Sequence, residues 1–112
     1  MTEAELQGAV IEAGRLFGFR IAHFRPARSV RGWRTPVAAD GAGFPDLVLA
    51  RPGELVFAEL KASGGRLHPD QATWLDVLGR TGGCNVHVWR PEDWLNGTVE
   101  AHLRPAGYGG DE

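Results

Sequence analysis

Two apolar runs, Gly43-Phe44-Pro45-Asp46-Leu47-Val48-Leu49-Ala50 and Leu55-Val56-Phe57-Ala58-Glu59-Leu60-Lys61, flank Arg51-Pro52-Gly53-Glu54 and constrain this chain more than any other feature. Pro-Gly supplies a turn, and Val, Leu and Phe fill strands, so the stretch predicts a β-hairpin. Three charges interrupt it. Asp46 opens the first strand, and Glu59 and Lys61 close the second. Antiparallel pairing brings the start of one strand to the end of the other, so all three meet at one end of the hairpin. Glu59 and Lys61 are two apart and share a face. Such carboxylates suit a divalent metal, and the ammonium suits a phosphate or an attacking water. A surface ion pair of Glu59 with Lys61, beside a turn-capping Asp46, is the plainer reading of the same residues.

The rest of the chain supplies elements to pack on this hairpin. Thr2 as N-cap with Glu5 three residues on is a capping-box pattern, and Leu6, Val10, Ala13 and Phe17 recur at helical spacing until Gly18. Phe19 to Phe24 alternates as a half-buried strand does. Pro26 to Gly43 shows no periodicity and is expected to be a long surface loop, of the kind that is functional or disordered. After the hairpin, Ala62 to Leu67 is a Gly-rich connection carrying Ser63 and Arg66. Pro69 then fits the first turn of a helix on which Gln71, Trp74, Leu75 and Leu78 share a face. Asn85 to Trp89 reads as a strand and Arg90 to Leu95 as a short helix. Thr98 to Leu103 is expected to be a final strand or an extended tail. The αβββαβ order predicts an α/β fold, a mixed central sheet flanked by helices. One domain over residues 1–104 and a mobile tail over 105–112 are the expected organisation.

Charge is informative only when divided along the chain. The formal net charge is -2, yet residues 13–39 carry six arginines and no Asp or Glu. Arg25, Arg28, Arg31 and Arg34, with Trp33 among them, form a cationic stretch suited to tracking a nucleic-acid backbone and stacking on an unpaired base. A loop merely solvated by Arg would have the same sequence. Eleven of the twelve basic residues are Arg, so Lys61 stands out. The single Cys84 makes no internal disulfide, and with four His but no second Cys a structural zinc site is not expected. No run reaches the roughly 20 apolar residues of a membrane helix, and no signal-like segment opens the sequence, so the expectation is a cytoplasmic protein.

Phe44-Pro45-Asp46, a twelve-residue gap, then Glu59-Leu60-Lys61 is similar to the PD-(D/E)xK nuclease signature. The arrangement resembles the VRR-NUC branch of that superfamily, in its small stand-alone phage and bacterial type. There Gly-x-Pro-Asp opens the hairpin, Glu-x-Lys ends it, and a Gly-Gly loop leads to a helix beginning Ser-Pro-x-Gln. The counterparts here are Gly43 to Asp46, Glu59 to Lys61, Gly64-Gly65-Arg66-Leu67 and His68-Pro69-Asp70-Gln71, with His68 departing from Ser.

The resemblance implies a restriction-endonuclease-like core and a metal-dependent DNA endonuclease acting on branched DNA such as four-way junctions. The expected cofactor is Mg²⁺ or Mn²⁺, held by Asp46, Glu59, the Leu60 backbone carbonyl and a carboxylate from helix one. Glu3 and Glu5 compete for that last place. Glu5 has the capping box to serve, and Glu3 stands four residues before Gln7, matching the family's helix-one spacing of Glu and Gln. Both acids would also complement the helix dipole. Lys61 stabilises charge on the phosphate, and Gln71 bonds a water or phosphate. His23, Arg25, Arg28, Arg31, Trp33, Arg34 and Arg66 are the expected DNA contacts. Cutting both strands symmetrically calls for a homodimer. A DNA-binding module with a vestigial nuclease site is the alternative.

Overall fold

The structure, a computed structural model, describes residues 1–24 and 38–107 in full and residues 27–29 and 32–34 by their backbone. Helix α1 spans Glu3–Leu16, and its start is set by the residues that signalled it. Glu5 N donates to Thr2 Oγ1 (3.1 Å) and Thr2 N donates to Glu5 Oε1 (2.8 Å), a reciprocal cap. One face of α1 buries Leu6, Val10, Ala13 and Gly14. Gly14 lets the helix lie close on the sheet, since a Cβ there would stand 2.7 Å from Ile21 Cδ1.

Strands β1 (Arg20–His23), β4 (Leu47–Arg51), β5 (Glu54–Leu60) and β6 (Asn85–Trp89) form one sheet in the order β1-β4-β5-β6. The β1–β4 and β4–β5 pairs are antiparallel, and β5–β6 is parallel. Parallel pairing needs a crossover, and helix α2 (Pro69–Gly79) provides it. Gly53, at φ +83°, makes the β4–β5 turn. Arg51 ties that turn to the end of α1: its guanidinium bonds Glu54 and the Phe17 carbonyl (2.7 Å) and lies 4.0 Å over the Phe19 ring. The sequence-based α/β class and the mixed sheet between helices are both present.

Two segments differ from expectation. Inside the stretch read as a long loop, β2 (Ala27–Ser29) and β3 (Gly32–Arg34) pair as an antiparallel ribbon, with Arg28 opposite Trp33 and Ala27 opposite Arg34. Strands of three residues are too short to display an alternation, so their pairing left no periodic trace. Thr98–Leu103 is neither strand nor tail but helix α4, entered through Gly97 at φ +86°. Its cause is the i,i+4 pair Val99 and Leu103, both fully buried. They join Leu6, Val10, Leu47, Leu49, Val56, Ala58, Leu60 and Trp89 in the core. Each such burial is worth about 1.5–3 kcal/mol, more than the β-preference of Thr98 and Val99 opposes. Short helix α3 (Pro91–Leu95) connects β6 to α4.

Strand β5 shows how the sheet divides. Val56, Ala58 and Leu60 are buried in the core, while the alternate Phe57, Glu59 and the following Lys61 point to the opposite face. Helix α2 attends that second face and buries no residue fully.

Candidate active site

Register places the charges. Leu47 pairs with Ala58, so Asp46, one residue before Leu47, lies across from Glu59, one residue after Ala58. Leu60 N donates to Asp46 Oδ2 (2.9 Å), which locks the carboxylate at the end of β5. Lys61 Nζ is 3.8 Å from Glu59 Oε2, a loose ion pair with both side chains largely buried. Lys61 N in turn donates to the Trp89 carbonyl, extending the parallel ladder by one residue.

Gln71 arrives from α2. Its Nε2 donates to Glu59 Oε2 (2.8 Å) and its Oε1 accepts from His68 N (2.8 Å), so both ends of the amide are committed. Gly43 makes this approach feasible. At φ +83°, it lies so close to the first turn of α2 that a Cβ would stand 2.6 Å from the Asp70 carbonyl carbon and 2.7 Å from Gln71 N. The Gly-x-Pro-Asp order is therefore a packing device: glycine for contact with α2, buried Pro45, then the acid.

Glu59 is 2% exposed, and its Oε1 has no hydrogen-bond partner. Burial, and then the nearby Asp46 carboxylate, push the Glu59 carboxyl up to about 7, against the opposing pull of Lys61. Burial likewise raises Asp46, opposed by the Leu60 N–H and by Lys61. A buried carboxylate oxygen without a partner beside a second acid is an arrangement that a hard divalent cation satisfies. These two acids fit a hard divalent cation. Among the described residues no three of His, Cys, Asp and Glu gather closely enough to hold a metal by themselves.

The Glu3 charge also raises Glu59, less than burial and the Asp46 carboxylate do. Glu5 is engaged by Thr2, whose backbone N–H holds its carboxyl below the usual range. From the other side of β4, His23 lowers Asp46 electrostatically, and its Nδ1 lies 3.4 Å from Gln7 Nε2. Arg66 is exposed on the connection that follows Lys61. Arg25 and Arg31 lie outside the described residues, as do the side chains of Arg28, Trp33 and Arg34.

Two supports escaped the sequence reading. Arg90 Nη2 donates to the Gly65 carbonyl (2.8 Å) and Ser63 Oγ donates to Glu92 Oε1 (2.6 Å), so the start of α3 anchors the Gly-rich connection leaving Lys61. Arg90 stands one residue past the strand that parallels β5, and that position was the available signal.

Residues 10–92, most of the 112-residue chain, match the VRR-NUC domain. The chain belongs to the VRR-NUC family. Asp46, Glu59, Lys61, Gln71 and Arg90 fall inside the matched segment, and Glu3 precedes it. VRR-NUC membership carries a nuclease-type function in DNA processing, a family use of divalent metals and a restriction-endonuclease-like fold, with which the four-stranded mixed sheet between helices agrees. No curated protein and no solved structure matches this VRR-NUC chain. Among the described residues no helix is long and apolar enough to cross a membrane.

Proposed function

We propose that the chain is an endodeoxyribonuclease that hydrolyses phosphodiester bonds with Mg²⁺ or Mn²⁺ held by Asp46 and Glu59. The observation that carries this reading is the partnerless, buried Glu59 Oε1 beside Asp46, with Lys61 and Gln71 on the same carboxylate. The Leu60 carbonyl and Glu3 complete the proposed metal surroundings. When bound, a divalent ion lowers the pKa of a coordinated water and offsets charge on the phosphate.

Lys61, whose Nζ lies 3.8 Å from Glu59 Oε2, stabilises the charge that develops on the phosphate oxygens. Gln71 holds Glu59 in position and presents a neutral amide beside the attacking water. His23, Arg25, Arg28, Arg31, Trp33, Arg34 and Arg66 contact the DNA, the arginines through phosphates. A homodimer with two-fold symmetry sets two such sites against opposite strands, and the resemblance to small VRR-NUC proteins makes branched DNA, four-way junctions included, the proposed substrate.

The test is a cleavage panel of single-stranded, duplex, flap and four-way-junction DNA with Mn²⁺ or Mg²⁺. Wild type cleaves, and Lys61→Ala loses about 10²–10³-fold in rate while binding DNA nearly as well. Undiminished cleavage by Lys61→Ala would sink the assignment. Binding without cleavage in wild type would favour a DNA-binding module with a silent site.

A further inference from the structure

Next to the candidate active site, a concavity of about 560 Å³ is lined by Ala39, Asp40, Ala42, Asp70, Thr73, Trp74 and Val77. That size falls within the roughly 300–1,000 Å³ of ligand pockets. Its walls are apolar, from Ala39, Ala42, Val77 and the indole of Trp74. Trp74 is held in place from two directions. Its Nε1 donates to the Asp40 carbonyl (2.8 Å), and its ring meets Phe44 edge-on at 5.0 Å. Phe44 is itself braced edge-on by Phe24 and Phe57. Ala39 adopts φ +54°, the one non-glycine residue with positive φ among those described.

The polar side chains of this pocket have one sense. Asp40 and Asp70 offer carboxylates, which accept. Thr73 donates its hydroxyl proton to the Pro69 carbonyl, and Trp74 donates its N–H to Asp40, so neither has a proton left to give. With its two side-chain donors already bonded and two acids in its lining, the pocket's side chains disfavour phosphate and favour a planar group rich in N–H donors. Continuity with the nuclease site is direct. Asp70 precedes Gln71, whose amide holds Glu59, and Trp74 is one helical turn from Gln71. The three residues rise about 4.5 Å along α2, comparable with the roughly 3.4 Å between successive nucleotides of one DNA strand.

We propose that this pocket receives one unpaired nucleobase of the DNA substrate, flanking the cleaved phosphate, and prefers cytosine, adenine or guanine to thymine. The inference rests on the nuclease reading above. The base stacks on Trp74, and its amino group donates to Asp40 or Asp70, as cytosine N4 donates to acidic side chains in groove recognition. Thymine lacks an exocyclic amino group, and its carbonyl oxygens face carboxylates.

The experiment scans a flap or junction substrate with C, A, G, T or an abasic residue at each unpaired position beside the cut. Cleavage with Mn²⁺ is measured in parallel with equilibrium affinity in EDTA. One position is expected at which an abasic residue weakens binding about tenfold and thymine several-fold. Val77→Trp, which fills the pocket, removes that dependence. Asp40→Asn with Asp70→Asn narrows the gap between thymine and cytosine. Equal affinity for every base and the abasic residue at all positions overturns the pocket, whether or not the DNA is cut. Failure to cleave any substrate overturns the nuclease reading instead, and the affinity arm still decides the pocket.

Discussion

The two faces of the β4–β5 hairpin are made from alternate residues of the same strands and have opposite characters. On one face Leu47, Leu49, Val56, Ala58 and Leu60 pack with Leu6, Val10, Trp89, Val99 and Leu103 into a continuous apolar core. On the other, Asp46, Glu59 and Lys61 crowd together under a helix that buries nothing fully. The contrast teaches where the stability resides. The core face supports a cluster of charges that costs free energy, and Glu59 is kept buried because its neighbours in the strand, Ala58 and Leu60, are anchored on the opposite side.

The largest expected effect lies on the site face. Glu59→Gln removes the proposed metal ligand and the charge together, and cleavage falls by at least about 10³-fold. Stability moves the other way. A carboxyl raised on folding from 4.5 to about 7 holds more protons folded than unfolded between those values, so its contribution is fully present below about pH 4.5 and is lost as pH rises to about 7. The loss is about 3 kcal/mol from that shift alone. In metal-free buffer at pH 8, Glu59→Gln is therefore more stable than wild type, by about 1–3 kcal/mol, and its stability declines less between pH 5 and 8. Urea unfolding at several pH values measures this; a variant less stable than wild type at pH 8 would mean that Glu59 supports the fold.

On the core face the expected change is pure destabilisation. Leu103→Ala costs about 2–5 kcal/mol, and at a temperature where it stays folded its cleavage per folded molecule is near that of wild type. Leu75→Ala, on half-buried α2, costs about 1 kcal/mol or less. Comparable losses from the two would erase the difference between the faces. Gly43→Ala sits between them. It forces a side chain into positive φ and onto the first turn of α2. A loss of about 1–3 kcal/mol is expected, together with a fall in kcat as Gln71 withdraws from Glu59; thermal unfolding and single-turnover cleavage read the two effects separately.

Much of this arrangement was legible in the residues. The capping box at Thr2 and Glu5, the hairpin around Pro52-Gly53 and the meeting of Asp46 with Glu59 and Lys61 all follow from local periodicity and strand pairing. Helix α4 was not legible because it shows only two buried residues, Val99 and Leu103, in a segment opened by β-branched side chains. The β2–β3 ribbon is too short to alternate. Within the site, Gln71 could be placed on the first turn of α2, but its bond to Glu59 depends on how closely Gly43 lets the loop approach, a tertiary contact with no periodic signature. Glu3, placed by helix spacing on the side of Gln7, is felt by Glu59 through its charge, which raises the Glu59 carboxyl.

The central claim is that the charged face exists to take a divalent cation. Calorimetric titration of Mn²⁺ at pH 7 and pH 8 into wild type, Asp46→Asn and Glu59→Gln tests it most directly. Wild type is expected to bind Mn²⁺ saturably and to release protons near pH 7, where Glu59 is partly protonated, and both variants are expected to lose binding. Equal Mn²⁺ binding by wild type and Glu59→Gln would contradict it.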